Sequence, residues 1–592
     1  RDGGQYVFAV SHITRIHDGG SIDRLGYRLE PVGAAAEQND GVTPGSKSRG
    51  DCGSNAGART CDDGDVSHGQ ILWSAKDSLI GSGDYRTGMN ATDSKERSES
   101  DLVAARRAKL KRWTEELGID PWGSRVDDLA SLADARSMFL ESAADAMDAE
   151  EPPSEDPRPR VTVAGRVIQH RAMGKLTFMV LRDDSGDLQV SCSKADLETA
   201  SFKLASKVDY GDIVVASGPV GRTKRGEICV WADQFEVHCK SLAPPPEKFH
   251  GLTDAEQRYR RRYVDMYTNP ETMETFRRRS QIVSEIRRFM ERHGYVEVET
   301  PMMQPVAGGA AARPFGTHHN ALDIDLFLRI APELYLKRLL VGGMRKVFEV
   351  NRNFRNEGVS RQHNPEFTMM EAYQAFGDCE TVIELAESLI RELAGGVLPY
   401  GDLEIDYTQA FDRISYGDLF ERTHGCNMSD ESAVRTVAAK KHVEDAATRN
   451  HWLLVEALFD EAEDRIDPTR PTWVTDFPAA ISPLTRPRSD APDIAWRAEL
   501  FIAGMEIGNF YTELNDPDIQ RARFTEQLDG INDEEAAFRS LDSDFLDALC
   551  VGMPPAGGFG IGIDRIVMLL TNHTSIRDVI LFPLLRPEGG EQ

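Results

Sequence analysis

VFEVNRNFRNEGVSRQHNPEFTMMEAYQAF, residues Val347–Phe376, is the stretch on which the reading of this 592-residue chain turns. Side chains alternate sides along an extended backbone. Glu349, Asn351, Asn353, Arg355 and Glu357 therefore fall on one face, and Phe348, Val350 and Phe354 on the other. Gly358 to Pro365 is a polar break, after which Phe367, Met369, Glu371 and Tyr373 again share a face. The pattern predicts two strands joined by a loop, with fixed charge and an aromatic ring along one surface. One reading is an edge hairpin with a polar exterior. The other is the floor of a site for an anionic, planar ligand such as a nucleotide.

Working outward, the length predicts more than one domain and ample core. The formal charge of −28 argues against bulk, non-specific nucleic-acid binding, so any such contact must use local basic patches. Eight cysteines, Cys52, Cys61, Cys192, Cys229, Cys239, Cys379, Cys426 and Cys550, are scattered and never form Cys-x-x-Cys. That favours a reducing, cytoplasmic location and argues against a zinc ribbon. No apolar run approaches the roughly 20 residues needed to span a bilayer, and no secretory signal is visible. Residues 1–88 hold 16 of the 49 glycines and no methionine. They read as a non-native or disordered extension, with Met89 as the expected natural start.

Residues 100–117 suit a helix stopped by Gly118. Its basic run, Arg106, Arg107, Lys109, Lys111 and Arg112, reads as a solvated face or, functionally, a phosphate-contacting one. An acidic, proline-rich linker, DAEEPPSEDPRPR, closes this segment (89–158). VTVAGRVI, KLTFMVLRD, GDLQVSC, GDIVVASGPV and EICVWADQFEVHC then predict five strands. Five strands in about 80 residues fit an OB-fold β-barrel (159–243), with Phe178 and Gln189 as candidates for stacking on and reading a base. LAPPPEKFHGL marks the boundary to a second domain (244–588). There ETFRRRSQIVSEIRRFMERHG places Phe276, Ile282, Ile286, Phe289 and Met290 at helical spacing, ahead of a strand YVEVETPMM. Helix and strand together suit a subunit interface.

RSQIVSEIRRFMERHGYVEVETPMM resembles motif 1 of class II aminoacyl-tRNA synthetases, FRNEGVSRQHNPEFTMMEAY motif 2, and GGFGIGIDRIVMLL (Gly557 to Leu570) motif 3. KFHGLTDAEQRYRRRYVDM, GGAAARPFGTHHNALDIDLFLRIAPELYLKRLLVGG and EIGNFYTELNDP resemble the bacterial type of the lysyl-tRNA synthetase family within that class. The resemblance covers residues 100 to 586. It implies an α+β protein in which an antiparallel sheet flanked by helices follows an anticodon-binding OB-fold barrel. It further implies a homodimer through motif 1 and ATP-dependent ligation of L-lysine to tRNA(Lys) through lysyl-adenylate. The rivals are an Asp- or Asn-specific relative, a lysyltransferase acting on a protein, and a non-catalytic RNA-binding homologue. Glu513 in the pocket argues against the first, the barrel against the second, and retention of Arg355, Glu499, Glu506 and Arg565 against the third.

Carried onto this chain, the resemblance makes Arg355 the α-phosphate clamp and Arg565 the γ-phosphate clamp. Glu357 accepts from the adenine amine, Phe367 stacks on the ring, and His363 and Asn364 lie near the phosphates. The glycines at 557, 558, 560 and 562 are expected to let backbone approach the nucleotide. Glu499 and Glu506 resemble ligands of Mg2+. A two-residue turn at Ala503–Gly504 would pair Phe501 with Glu506 and bring both acids to one face. Glu513 and Tyr373 are implied to receive the lysine side-chain ammonium, and Glu333 with the backbone at Gly308 the α-amino group. Asn509 is implied to hold the carboxylate, and Glu371 to support the pocket. Asn509, Tyr511 and Glu513 alternate onto one strand face. Phe178 and Gln189 become anticodon contacts. Three departures from the family pattern stand out: Gln362 before His363, Phe510 between Asn509 and Tyr511, and Thr485–Arg486 in SPLTRP.

Overall fold

The protein is represented by a computed structural model that describes residues 93–245, 252–310, 312–528 and 541–588. The expected extension, Met89 and part of the 242–252 boundary lie outside the described residues.

The barrel is built from β1 (Arg160–Met173), β2 (Leu176–Arg182), β3 (Asp187–Ser193), β4 (Ile213–Arg222), β5 (Ile228–Ala232) and β6 (Gln234–Cys239). Pairings β1–β2, β2–β3, β3–β5, β5–β4 and β4–β1 close the circuit, with β6 added on β4. The last expected strand is therefore two, split at Asp233, whose amide donates to Ser217 O at 3.0 Å. A helix not expected from the sequence, Thr199–Ala205, packs Phe202 and Leu204 into the barrel core.

Helix α1 (Asp93–Leu117) ends where Gly118 takes φ +63°. Trp113 is buried in the barrel core, Arg106 donates to Ser241 O at 3.0 Å, and Lys109 pairs with Asp209 at 2.5 Å. Part of the basic face is thus spent on docking the helix, while Arg107, Lys111 and Arg112 stay exposed.

In the second domain, α2 (Pro270–Arg292) begins with Pro270 at its first turn and buries Phe276, Ile282, Ile286, Phe289 and Met290. The sheet beside it uses β7 (Val296–Glu297), β8 (Lys346–Phe354), β9 (Glu366–Ala375), β10 (Asp412–Ser415), β11 (Thr472–Thr475), β12 (Arg497–Ile502), β13 (Met505–Thr512) and β14 (Ala556–Gly562). Their order is β10–β11–β12–β13–β14–β9–β8–β7. The six central strands are antiparallel, as expected. The edge strands β7 and β10 instead pair parallel, because each enters from a separate helix-linked segment rather than a hairpin.

β8 and β9 are the expected hairpin, in register Glu349↔Glu371 and Asn353↔Phe367. The turn at Ala503–Gly504 also forms, with φ +53° and +71° and Phe501 opposite Glu506. One residue further the register slips, Leu500 facing Gly508, so Ile507 is an extra residue in β13. That bulge was not legible in the sequence. Phe510 lies fully buried on the core side, stacked on Phe559 at 5.2 Å and edge-on to Trp473 at 4.7 Å. It does not narrow the pocket.

Arg279 of α2 joins the three resembling motifs. It pairs with Asp564 at 2.6 Å, donates to Thr368 Oγ1 at 3.1 Å and to Val579 O at 3.0 Å, and Asp564 accepts from the Thr368 amide at 2.7 Å. Asp564 is 2% exposed. Arg279→Met leaves that acid without its cation. The expected loss is about 3–5 kcal/mol of stability, read as a lower urea midpoint for the catalytic domain.

Candidate active site

The floor of the site follows from register. Glu349, Glu371, Gly560, Asn509 and Glu499 form one row across five strands, and Tyr373, Gly558, Tyr511 and Arg497 the next. On a regular strand Glu506 and Asn509, three apart, would face opposite ways. The bulge at Ile507 puts them on one face, and Asn509 Nδ2 donates to Glu506 Oε1 at 2.5 Å.

A cavity of about 350 Å³ opens above this floor. It brings together Glu333, Arg355, Glu357, His363, Asn364, Phe367, Glu371, Tyr373, Glu506, Asn509, Tyr511 and Arg565, together with Gln362. Three expected residues do not line it. Gly308 packs under Leu334, and its neighbours Gly309 and Ala310 form the wall. Glu499 is buried in the floor while Arg497, two residues earlier on the same face, reaches the cavity. Glu513, 1% exposed, lies beyond the wall. The glycines divide as well. A Cβ at Gly557 would collide with the backbone of Asp378, and one at Gly558 with Glu513 Oε1 and the Tyr373 ring. Those two make room for protein, and of these four only Gly560 and Gly562 line the cavity.

The acidic end is paired internally. Arg329 donates to Glu349 Oε1 at 2.7 Å and Thr300 to Oε2 at 2.7 Å. The Tyr373 hydroxyl donates to Glu371 Oε2 at 2.9 Å. Burial, with Glu333 adding to it, holds the Glu371 carboxyl well above the usual carboxylate range. Lys337, fully buried on α3 (Glu333–Val341), donates to Glu333 Oε1 at 2.6 Å and pairs with Glu513 Oε2. Arg497 donates to Glu499 Oε1 at 2.5 Å and to Asn509 Oδ1 at 2.9 Å. Burial raises the Glu499 carboxyl; Arg497 opposes this and Glu506 adds to it.

The opposite end offers donors. The Arg355 guanidinium lies 5.2 Å from the centre of the Phe367 ring, and its buried Nε finds no hydrogen-bond partner among the described residues. Asn364 is spent partly on structure, donating to Glu366 O at 2.6 Å. Arg565 donates to the backbone oxygen of Glu506 and contacts His363 Nε2 at 3.1 Å. Arginine can only donate, so Nε2 accepts, while Nδ1 lies 2.8 Å from Ser360 Oγ. Burial, then the Arg565 charge, lowers the His363 pKa, which favours the neutral ring that can accept at Nε2.

Arg497, Lys337, Arg329, Asp564 and Arg279 escaped the sequence reading. Arg497 had a usable signal, since it alternates with Glu499. Lys337 sits four residues after Glu333, one helical turn on.

On the barrel, Phe178 and Gln189 both project from the outer face, half-buried. Phe178 pairs across with Ser191, and Ser191 with Trp231. Gln189 Nε2 and Ser191 Oγ are buried against the Cys229 thiol, and Trp231 Nε1 is buried without a hydrogen-bond partner among the described residues.

Residues 254–586 match the family model for tRNA synthetases class II (D, K and N), and residues 161–244 that for the OB-fold nucleic acid binding domain. The chain is 45% identical over 502 residues to a lysine–tRNA ligase of Carboxydothermus hydrogenoformans, covering 82% of this chain and 98% of that protein. It is 43% identical over 518 residues to one of Magnetococcus marinus, covering 85% and 100%. It is 45% identical over 507 residues to one of Burkholderia vietnamiensis, covering 83% and 97%.

In an NMR titration, His363 is expected to show a pKa below the ordinary histidine value of about 6.5, and Arg565→Met to raise it. Protonation at Nε2 would set two donors against each other, so the Arg565 contact is lost as pH falls through that pKa.

Proposed function

The chain belongs to the class II tRNA synthetases and, among them, to the lysine–tRNA ligases, and from that premise we propose how its residues divide the work. The enzyme aminoacylates tRNA with lysine, with ATP as the energy source. One observation carries the assignment of roles. A single cavity joins an ammonium-seeking end, Glu333, Glu371 and Tyr373 with Glu513 behind, to a phosphate-seeking end, Arg355 and Arg565.

In the first step the lysine carboxylate attacks the α-phosphorus of ATP, forming the adenylate and releasing pyrophosphate. In the second, a terminal ribose hydroxyl of tRNA(Lys) takes the lysyl group and AMP leaves. The substrates supply both nucleophiles, so the protein positions them and neutralises phosphate charge. Arg355 takes the α-phosphate, with its unpartnered Nε as a donor in reserve. Arg565 takes the γ-phosphate, and His363 and Asn364 flank it. Phe367 stacks on adenine and Glu357 accepts from its amine. Asn509 holds the lysine carboxylate and Tyr511 walls the same face. Glu333, with the backbone at Gly308 and Gly309, receives the α-amino group. Glu513 and Tyr373 receive the side-chain ammonium, and Glu371 supports them.

Glu499 and Glu506 suit a hard divalent ion: two carboxylates on one face, where burial, with Glu506 adding to it, raises the Glu499 pKa. They would hold Mg2+, with ATP phosphates completing the shell; bound there, the ion would offset charge on the phosphate oxygens. Phe178 and Gln189 read the anticodon, a role supported by their half-buried place on the outer face of the barrel. Homodimerisation through motif 1 fits the exposed Val296, Met302 and Met303 beside α2. No helix among the described residues is long and apolar enough to cross a membrane. A cytoplasmic location fits work on tRNA. The division is a helical segment and linker at 89–158, the barrel at 159–243 and the catalytic domain at 244–588.

ATP–pyrophosphate exchange across the amino acids is the test. Lysine-dependent exchange followed by tRNA charging supports the reading, and exchange with aspartate or asparagine, or charged protein in place of tRNA, refutes it. Glu513→Gln should lower kcat/KM for lysine by at least about tenfold, since a charged hydrogen bond contributes roughly 1.5–3 kcal/mol.

A further inference from the structure

Lys337 sits where the two amino-group receptors meet. Glu333, one turn before it on α3, and Glu513, just past the end of β13, both hold the same ammonium. All three side chains are buried, Lys337 and Glu513 completely. An ammonium has three donors and no acceptor, so this one can serve two carboxylates at once. Its bond to Glu513 uses Oε2. The other oxygen, Oε1, has no hydrogen-bond partner among the described residues and lies beside Gly558, which the Tyr373 ring also approaches. Tyr373 lines the cavity. One oxygen of Glu513 is therefore paired with Lys337, and the other is left beside Gly558 and the cavity-lining Tyr373.

Resting on the reading of Glu513 as the side-chain ammonium receptor, we propose that Lys337 is a positioning residue for amino-acid selection. It ties Glu333 to Glu513, sets the spacing between the α-amino and side-chain receptors, and presents Glu513 Oε1, ionised, to the substrate. A buried carboxylate without a cation takes up a proton instead and can no longer attract an ammonium group. The charged or titratable groups facing Glu513 and Lys337 are Glu333 on α3, Glu371 and Tyr373 on β9, and Cys379 just beyond β9. Lys337 is the cation among them. Burial drives the Glu513 carboxyl upward, and Lys337 is the group that pulls it back.

The spacing also has a selective consequence. Two receptors tied to one ammonium define a fixed span, so an amino acid one methylene shorter reaches only one of them.

The test is lysine-dependent pyrophosphate exchange by the full chain. Lys337→Met removes the charge at similar length. Its kcat/KM for lysine at pH 7 is expected to fall by at least roughly tenfold, with the KM for ATP within about twofold of wild type. Because Glu513 loses its proton as pH rises, the ratio of wild-type to variant kcat/KM should narrow between pH 7 and pH 9. An equal deficit at both pH values, or matching losses for ATP and lysine, points to a merely structural role and overturns the proposal. Lys337→Arg keeps the charge and serves if the first variant does not fold. Its bulkier head changes the spacing, so its wild-type to variant ratio should stay flat with pH while discrimination between lysine and ornithine drops by at least about tenfold. Unchanged discrimination overturns the proposal. Glu513→Gln separates the two levels. Wild-type lysine kinetics there removes the underlying assignment, whereas impaired kinetics there with a pH-independent Lys337→Met deficit removes only the role of Lys337.

Discussion

A carboxylate taken out of water must find a cation or a hydrogen-bond donor, and that requirement shapes the catalytic half of this protein. The sheet floor and the helix beside it bring acids close together, and each acid is answered. Arg329 and Thr300 answer Glu349, Tyr373 answers Glu371, Arg497 answers Glu499, and Lys337 answers Glu333 and Glu513 together. The same logic holds the motifs to one another, because Asp564 takes its cation from Arg279 on α2 and its backbone donor from Thr368 on β9. Removing one partner leaves a charge stranded, so the floor has little freedom to drift. Rigidity of this kind lets dipoles and charges be aimed in advance of the reaction.

The two ends of the cavity differ in what they hold back. At the acidic end Glu513 keeps one oxygen uncommitted, and at the other Arg355 keeps one nitrogen. An amino acid with a cationic tail and a nucleoside triphosphate are opposite in charge, and a uniform pocket would favour only one of them. Asn509 and Arg497 form the neutral-to-cationic bridge between the ends.

Much of this was legible in the sequence because period-2 alternation fixes which side chains share a face. Glu371 and Tyr373 on β9, and the turn at Ala503–Gly504, were read that way, and both lie as expected. The parts that were missed depend on contacts between distant segments. Lys337 looks locally like an ordinary helical partner for Glu333, and only the fold reveals Glu513 on its other side. Gly558 resembles its neighbours in a glycine run, but Tyr373 and Glu513 fill its space. Phe510 has one sheet face or the other available to it, and the core beneath, Phe559 and Trp473, decides the matter. The splitting of the last barrel strand at Asp233 follows from pairing with Ser217, which no local pattern encodes.

The bulge at Ile507 makes the number of residues between Met505 and Glu513 a property as constrained as their identity. Each added or deleted residue exchanges the two faces of everything downstream, sending Asn509, Tyr511 and Glu513 into the core and Phe510 into the cavity. Substitution at Ile507 alters only the packing of one apolar side chain, whereas a one-codon indel beside it inverts the site. For anyone building sequence libraries or aligning divergent homologues, this segment behaves as a parity check: a gap placed here marks either a misalignment or a protein that has lost the reaction.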